Sequence, residues 1–504
     1  MSTPNTFILQ SKDSTTDELF TGRKVLAALV SQWAKNTDPN AKDTNDNIYT
    51  SIREKFKLYI ESSYRQYPEM VSEYVKMVPA TAGTSYGQSV TFDITQQDDF
   101  WSDMVVNIQL GALGSQTAAA TGNTQYVYCD YPGVRLFEDI ALSIDGNPID
   151  NYGPDSTMYH REFEVDSTKQ GAWDQSVGQQ TPTASYLYNR DSQTSTQYMI
   201  CNGPQTQNTY QPPLDLWVPL DFWFNKGIEN ALFVGNSHWG QRFITIKLAG
   251  SDKIAQSLTP VGPYQSDSEP TFTVGSAVPS IVKCDLYVNG ISLHPELLQV
   301  YNKTLTFALA RLHGSFKFTF TTNSTDQILS KIKYATEYLY FGFRPIANES
   351  SFTNWYKMTA INAVNILLPV SLIDLTNPTG PPILGRYPVV YNQPIIPFDT
   401  VGIYAGSGIV ISDMKTNVFY NGYLVTRDTK LQSPMDPGKM VYLFNQKPLE
   451  RDMSGYIPLS RIRDLQIKYS SSFISAANPT RLVVESRGIN ILLISRSMAI
   501  KFIT

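Results

Sequence analysis

Four histidines, three cysteines and scattered carboxylates are the residues of this chain from which chemistry could be built. His160, His238, His294 and His313 show neither H-x-H nor H-x-x-x-H spacing, so no metal-ligand set is readable along the chain. Cys129, Cys201 and Cys284 are odd in number and lack C-x-x-C spacing. They read as reduced thiols rather than as a disulfide framework or a zinc site. Asp98 and Asp99 could be a carboxylate pair for acid–base work, but neighbours on a strand point to opposite faces, which favours a turn or a cap. Gly406-Ser407-Gly408 lacks the flanks of a nucleophile elbow, and Gly438-Lys439 runs into Met440 without the upstream glycine of a phosphate loop. Asn302, Asn323 and Asn348 stand in N-x-[ST] sequons that read as chance matches without a secretory signal. No catalytic, cofactor-binding or metal-binding residue is therefore assigned, and neither enzyme activity nor a cofactor is expected.

The elements around these residues are mostly strands. At 504 residues the chain is long enough for two large domains. Its 42% hydrophobic and 17% charged residues suit ample burial. From residue 88 onward the apolar period is two: "SVTFDI", "MVVNIQL", "DIALSIDG", "QRFITIKLAG", "KCDLYVNG", "GSFKFTF" and "RDLQIKYS" each place one face in a core. Asp145-Gly146-Asn147-Pro148 and Asn289-Gly290 read as turns. The tract 166–213, rich in Gln, Ser, Thr, Tyr and Pro, reads as an extended loop between strands, with some local structure. The alternation pauses over 289–303, and size with strand pattern predicts two β-sandwiches divided there.

Residues 1 to about 80 differ. Thr15 and Glu18 have capping-box spacing, and Leu26, Leu29, Val30 and Trp33 follow at helical intervals. A second stripe, Ile48, Ile52, Phe56, Tyr59 and Ile60, ends near Pro68. Two short helices on a polar linker predict a partly helical arm that must dock its apolar faces elsewhere. The N-terminus lacks the pattern of a signal peptide, and the apolar stretch "INAVNILLPVSLIDL" is interrupted by Asn365, Pro369 and Asp374. A net charge of −5 with no dense basic run predicts no direct binding of nucleic acid.

One stretch stands apart: "CNGPQTQNTYQPPLDLWVPLDFWFN", residues 201–225, passes from a proline-punctuated polar run into dense aromatics. It opens a longer segment that resembles the major capsid proteins of nucleocytoplasmic large DNA viruses, nearest in motifs to their African swine fever virus-like (asfarvirus-like) members. The same resemblance is carried by "TFDITQQDDFWSDM", "YCDYPGVRLFEDIALSIDGNPIDNY", "KCDLYVNGISLHPEL", "EYLYFGFRP", "SGYIPLSRIRDLQIKYS" and "INILLISRSMAIKFIT", with "FILQSKDSTTDELFTGRKVLAAL" at the start. Loops before Tyr126 and through 166–200 are short beside the asfarvirus-like pattern.

The resemblance implies an all-β double jelly roll, two eight-stranded antiparallel sandwiches in one chain: an arm over 1–80, a first roll over 81–300 and a second over 301–504. It further implies a structural major capsid protein whose homotrimers form pseudo-hexagonal capsomers that tile an icosahedral virion shell. Assembly in the host cytoplasm is part of that implication. The partners implied are neighbouring capsomers and minor capsid proteins under the shell, with the arm on the inner side, near an inner viral membrane. Pro212, Pro213 and Pro219 would stiffen the chain as it leaves the long loop. Trp217, Phe222, Trp223 and Phe224 would pack in the core, or in contacts between rolls or subunits. Two other readings of the residues are a β-sandwich carbohydrate-binding protein or enzyme, which would need two carboxylates across a cleft, and a minor vertex or spike protein.

Overall fold

A computed structural model describes residues 70–501, apart from 81–83, 95–97, 115–123, 180–183, 190–193, 200–209, 235–240, 261–271, 296–297, 300–305, 333, 373–382, 407, 428–429, 460–464 and 495–498. The helical stripes of the arm lie outside the described residues. The sequence extends that arm to about residue 80, but Met70–Met77 pairs along its whole length with Ile281–Leu293 and is an edge strand of the first sandwich.

Eight strands build the first sandwich: β1 (Met70–Met77), β2 (Ser89–Asp93), β3 (Phe100–Leu110), β4 (Phe137–Ile144), β5 (Asn147–Tyr152), β6 (Leu214–Pro219), β7 (Arg242–Leu248) and β8 (Ile281–Leu293). One sheet runs β1-β8-β3-β6 and the other β2-β7-β4-β5, all antiparallel. The second uses β9 (Thr306–Phe320), β10 (Ser324–Ile328), β11 (Ala335–Pro345), β12 (Thr400–Ala405), β13 (Ile409–Lys415), β14 (Lys439–Leu443), β15 (Leu465–Ser470) and β16 (Thr480–Ile494). Its sheets run β9-β16-β11-β14 and β10-β15-β12-β13. Adding eight to every strand number of the first sandwich thus gives the second. Two facing sheets with this strand order are a jelly roll, and the chain holds two of them.

Alternation is what closes each roll. Along β3, Val106, Ile108 and Leu110 are fully buried, and they meet Ile244, Ile246 and Leu142 of the facing sheet in the first core. In the second core Phe341, Val401, Ile403, Ile467, Leu482 and Val484 do the same. Each such side chain contributes about 1.5–3 kcal/mol through removal from water.

The turn read at Asp145-Gly146 is present. Both residues have positive φ (54° and 77°), as a two-residue hairpin turn requires, and they join β4 to β5. The turn read at Asn289-Gly290 is not: both lie inside β8, at a register shift opposite β3. Glycine is needed there for another reason. A Cβ on Gly290 would come within 1.7 Å of the Asp98 carboxylate, so the residue makes room for a buried acid instead of turning the chain.

Two helices follow β5. Helix α1 (Pro154–Phe163) starts on Gly153 with proline at its first turn, and α2 (Ser167–Ser176) is capped by Asp166, whose side chain accepts from Thr168 N–H. A hairpin then pairs Ala184–Asn189 with Thr194–Met199. Much of the tract read as extended loop is therefore ordered as helix and hairpin. Local capping outweighs the weak periodicity on which the loop reading rests.

The seam between the two sandwiches as the candidate functional site

Two of the histidines, His160 and His313, and a set of buried carboxylates converge where one sandwich meets the other. On the β9-β16-β11-β14 sheet, registration places His313 opposite Arg487, Ser315 opposite Glu485, and Tyr338 and Tyr340 opposite those same two residues of β16. Alternate positions such as Phe316, Leu339 and Val484 enter the second core, so His313, Ser315, Lys317, Tyr338, Tyr340, Glu485 and Arg487 share the other face. That face would normally meet water. Here α1 and the segment leading to Asp221 cover it.

Aromatic stacking and charge hold the cover down. Tyr159 and Phe163 of α1 stack on Tyr340, with ring centroids 5.5 and 5.1 Å apart. Tyr152, at the end of β5, stacks on His313 at 4.5 Å. Asp155 receives Arg344 Nη1–H at 2.6 Å and also the Lys317 ammonium. Glu162 takes Lys439 Nζ–H at 3.2 Å and the backbone N–H of Met435 at 2.7 Å. Asp150 lies 2.7 Å from His313 Nδ1, and Asp221 takes Arg487 Nη2–H at 2.9 Å. Glu164 accepts from Tyr340 Oη–H at 2.9 Å. Among the described residues, every ion pair crossing the seam has its acid on the first sandwich and its base on the second.

The electrostatics follow from burial and pairing together. Burial alone would raise the carboxyl pKa of Asp155, yet Arg344 and Lys317 hold it well below the usual range. Glu164 and Asp221 are likewise buried and held low, by Lys226, His160 and Arg487. Burial and Arg487 would lower the His313 pKa, but Asp150 and Asp221 outweigh them and raise it. Burial pushes Glu485 up to about 7, with nearby Asp155 adding to the rise. Its Oε1 accepts from Ser315 Oγ–H at 2.8 Å, while Oε2 has no hydrogen-bond partner.

Glu485 gives a direct prediction. Its folded pKa lies above the unfolded value near 4.3, so its stability is fully present below about pH 4 and is lost as pH rises through about 7. The Glu485→Gln protein is therefore expected to gain up to about 3 kcal/mol over the parent at pH 8 and little at pH 4.5. Urea midpoints at the two pH values measure this, and an equal gain at both would refute it.

His160 Nδ1, Glu164 and Asp221 also place ligand atoms within 4.8 Å of one another, the spacing of a metal-ligand group. The Lys226 ammonium sits on the same two carboxylates, 3.5 Å from Asp221 Oδ1 and closer to Glu164. A resident cation thus already meets their charge. Asp98 and Asp99 are clasps: Asp98 accepts from Ser292 Oγ–H at 3.0 Å and Asp99 from Leu293 N–H at 2.9 Å, fastening the end of β8. These contacts leave the carboxylates engaged in holding strands and sandwiches together.

Of the aromatics singled out, Phe222, Trp223 and Phe224 are buried in the first core. Trp217 is not. Leu216 and Val218 take the inward positions of β6, so Trp217 points out, 38% exposed, with its ring 5.2 Å from Tyr287. Cys129 and Cys284 are buried thiols, and Cys201 and His238 lie outside the described residues. His313 is neither at the surface nor in a loop: it lies on β9, and its side chain is enclosed between Asp150, Asp221 and Tyr152. The seam escapes sequence reasoning because His313-x-Ser315-x-Lys317 and Glu485-x-Arg487 alternate as a solvent-facing strand does.

Known proteins share this architecture. A family model described as major capsid protein N-terminus matches residues 59–289. The hexon protein p72 of African swine fever virus is 24% identical, with 99% of each chain covered. The solved Faustovirus major capsid protein superposes with a TM-score of 0.70 at 23% identity, covering 96% of this chain and 100% of that one. PBCV-1 VP54 superposes at 0.61 and 17% identity, covering 88% and 99%. With two jelly rolls joined face to helix, the chain has the double-jelly-roll fold, and over its full length it is similar to the major capsid proteins of large DNA viruses.

Proposed function

We propose that the protein is the shell-building subunit of an icosahedral virion and that it assembles as a homotrimeric, pseudo-hexagonal capsomer. The observation that carries this reading is the welding of two like-ordered jelly rolls by a buried ionic seam. One chain is then a rigid two-lobed block, and three blocks supply six lobes around one axis. The role is structural, without catalysis or a cofactor, and the protein is placed in the outer capsid of virions built in the host cytoplasm. The division proposed is an arm over 1–69, a first roll over 70–293 and a second over 306–501. Neighbouring capsomers are the lateral partners. The arm is proposed to reach minor capsid proteins beneath the shell, and through them the inner membrane, while nucleic acid is not contacted directly.

Light scattering after size exclusion tests the assembly. The full chain is expected at three chain masses, with each contact burying on the order of 2,000 Å². Removal of residues 1–69 is expected to leave that mass unchanged and to abolish closed shells. Removal through residue 80 would also delete β1 and so damages the first roll. A stable one-chain mass at micromolar concentration for the full protein would overturn the trimer.

A further inference from the structure

The seam inside the chain has an unfilled counterpart on its outside. Within the chain, the helix that follows the fifth strand of the first sandwich lies on the outer face of the second sandwich's β9-β16-β11-β14 sheet. The second sandwich repeats the first strand for strand. Its fifth strand, β13, is also followed by a helix, a π-helical turn Val418–Tyr423 that runs into α3 (Leu424–Arg427). Tyr420 and Leu424 root this helix in its own core, while Val418 and Tyr423 are 65% and 59% exposed. The sheet face of the first sandwich that corresponds to the covered one is β1-β8-β3-β6, and it is open: Trp217 and Tyr74 stand 38% and 58% exposed beside Tyr287.

That open face is built as a platform. Tyr74 Oη–H donates to Asp103 at 2.6 Å, Asn107 Nδ2–H to Asp215 at 2.7 Å, and Trp217 Nε1–H to the same Asp215 at 2.9 Å. Side chains already held in place lose little freedom on association, and exposed aromatics on an ordered base have the composition of an interface centre. The charges also fit. Carboxylates of Asp103, Asp215 and Asp285 outnumber the two ammonium groups of Lys76 and Lys283 on this face. The exposed Arg427 and the half-buried Lys415 flank the helix, with Lys415 also on Asp413 and over the Phe419 ring.

We infer that the helix after β13 of one copy docks on the β1-β8-β3-β6 face of the next, with Val418 and Tyr423 against Trp217 and Tyr287. The inference rests on the trimer reading and specifies its contact. The occupant is a second copy of this chain because the contact repeats, between chains, the relation that α1 makes within one. Two alternating contacts of one kind, each turning by the same angle, close six sandwiches from three chains into a ring. Such an interface is head-to-tail, with different surfaces on its two sides.

Head-to-tail contacts allow a test by complementation. The parent chain is first sized by light scattering; one chain mass there removes the trimer reading itself. With a trimeric parent, Trp217→Asp and Tyr423→Asp are each expected to run at one chain mass while keeping the parent's circular dichroism spectrum and a cooperative urea transition, its midpoint lowered only by the lost association. Mixed at equal and high concentration, the two variants keep one intact contact between them and are expected to give two chain masses. Variants that remain trimeric, or that are monomeric and fail to pair when mixed, overturn this contact while leaving the trimer in place. Should either aspartate disturb folding, Trp217→Ala and Tyr423→Ala are read instead as trimers that dissociate at higher concentration than the parent. Trimers as resistant to dilution as the parent would overturn the contact.

Discussion

The Arg487→Met protein is expected to lose about 3–5 kcal/mol of stability and to unfold in two steps where the parent unfolds in one. Arg487 is almost wholly enclosed. It donates to Asp221 and to Ser156 Oγ at 2.9 and 3.0 Å, lies 4.0 Å from Glu164, and carries the Tyr340 ring over its guanidinium at 6.0 Å. Methionine fills much of the volume but leaves two buried carboxylates of the first sandwich facing an apolar stem. Removing one partner of such a set costs more than the set ever contributed, because the remaining charges stay out of water. Each sandwich keeps its own core, so the damage is confined to their union. Denaturant unfolding followed by tryptophan fluorescence and by far-ultraviolet circular dichroism measures it. Coincident transitions with a loss under 1 kcal/mol would show that the seam does not couple the sandwiches.

Stability is also expected to peak near pH 5 and to fall on both sides. On the acid side, Asp155, Glu162, Glu164 and Asp221 all have folded pKa values below their unfolded ones. Their contribution is present above about pH 4.3 and is lost as pH falls through the folded values, so several cross-seam pairs fail together. On the other side the sign reverses. Asp98 and Asp130, raised by burial to about 6, and Glu485 at about 7 are protonated in the folded protein at pH 5. Their stability is lost as pH rises through those values, and the raised His313 acts in the same direction. A displacement like that of Glu485 corresponds to about 3 kcal/mol. Urea midpoints from pH 2.5 to 8 trace the curve. Stability that climbs steadily from pH 5 to 8 would contradict the assignment.

The strands of both rolls were legible because each core strand carries its own instruction. "MVVNIQL" and "RFITIKL" place apolar side chains at every second position, and β3 and β7 bury those positions. The Asp145-Gly146 turn was legible for the same reason, since its backbone demand is met by two adjacent residues. What could not be read depends on distant partners. Asn289-Gly290 has turn chemistry, but the Asp98 carboxyl and the β3 register decide its conformation, from nearly two hundred residues away. The polar alternation of β9 and β16 is identical whether water or α1 covers it. Trp217 is placed outside by one position of strand phase among aromatics that otherwise go inside. The strand-for-strand repetition of the two rolls leaves no repeat in the residues, because many apolar sets can fill the same alternating positions.

The sorting of charge across the seam, with acids on the first sandwich and bases on the second, bears on how the chain is made. The first sandwich leaves the ribosome well before its partner, with a face of carboxylates exposed. Two such nascent halves on neighbouring ribosomes repel each other through these faces, as do two late-folding second halves. Only unlike halves attract, and the nearest unlike half is the one still being synthesised on the same chain, at the high effective concentration set by the short link between 293 and 306. The chain is thereby biased towards joining its own two halves before it meets another copy.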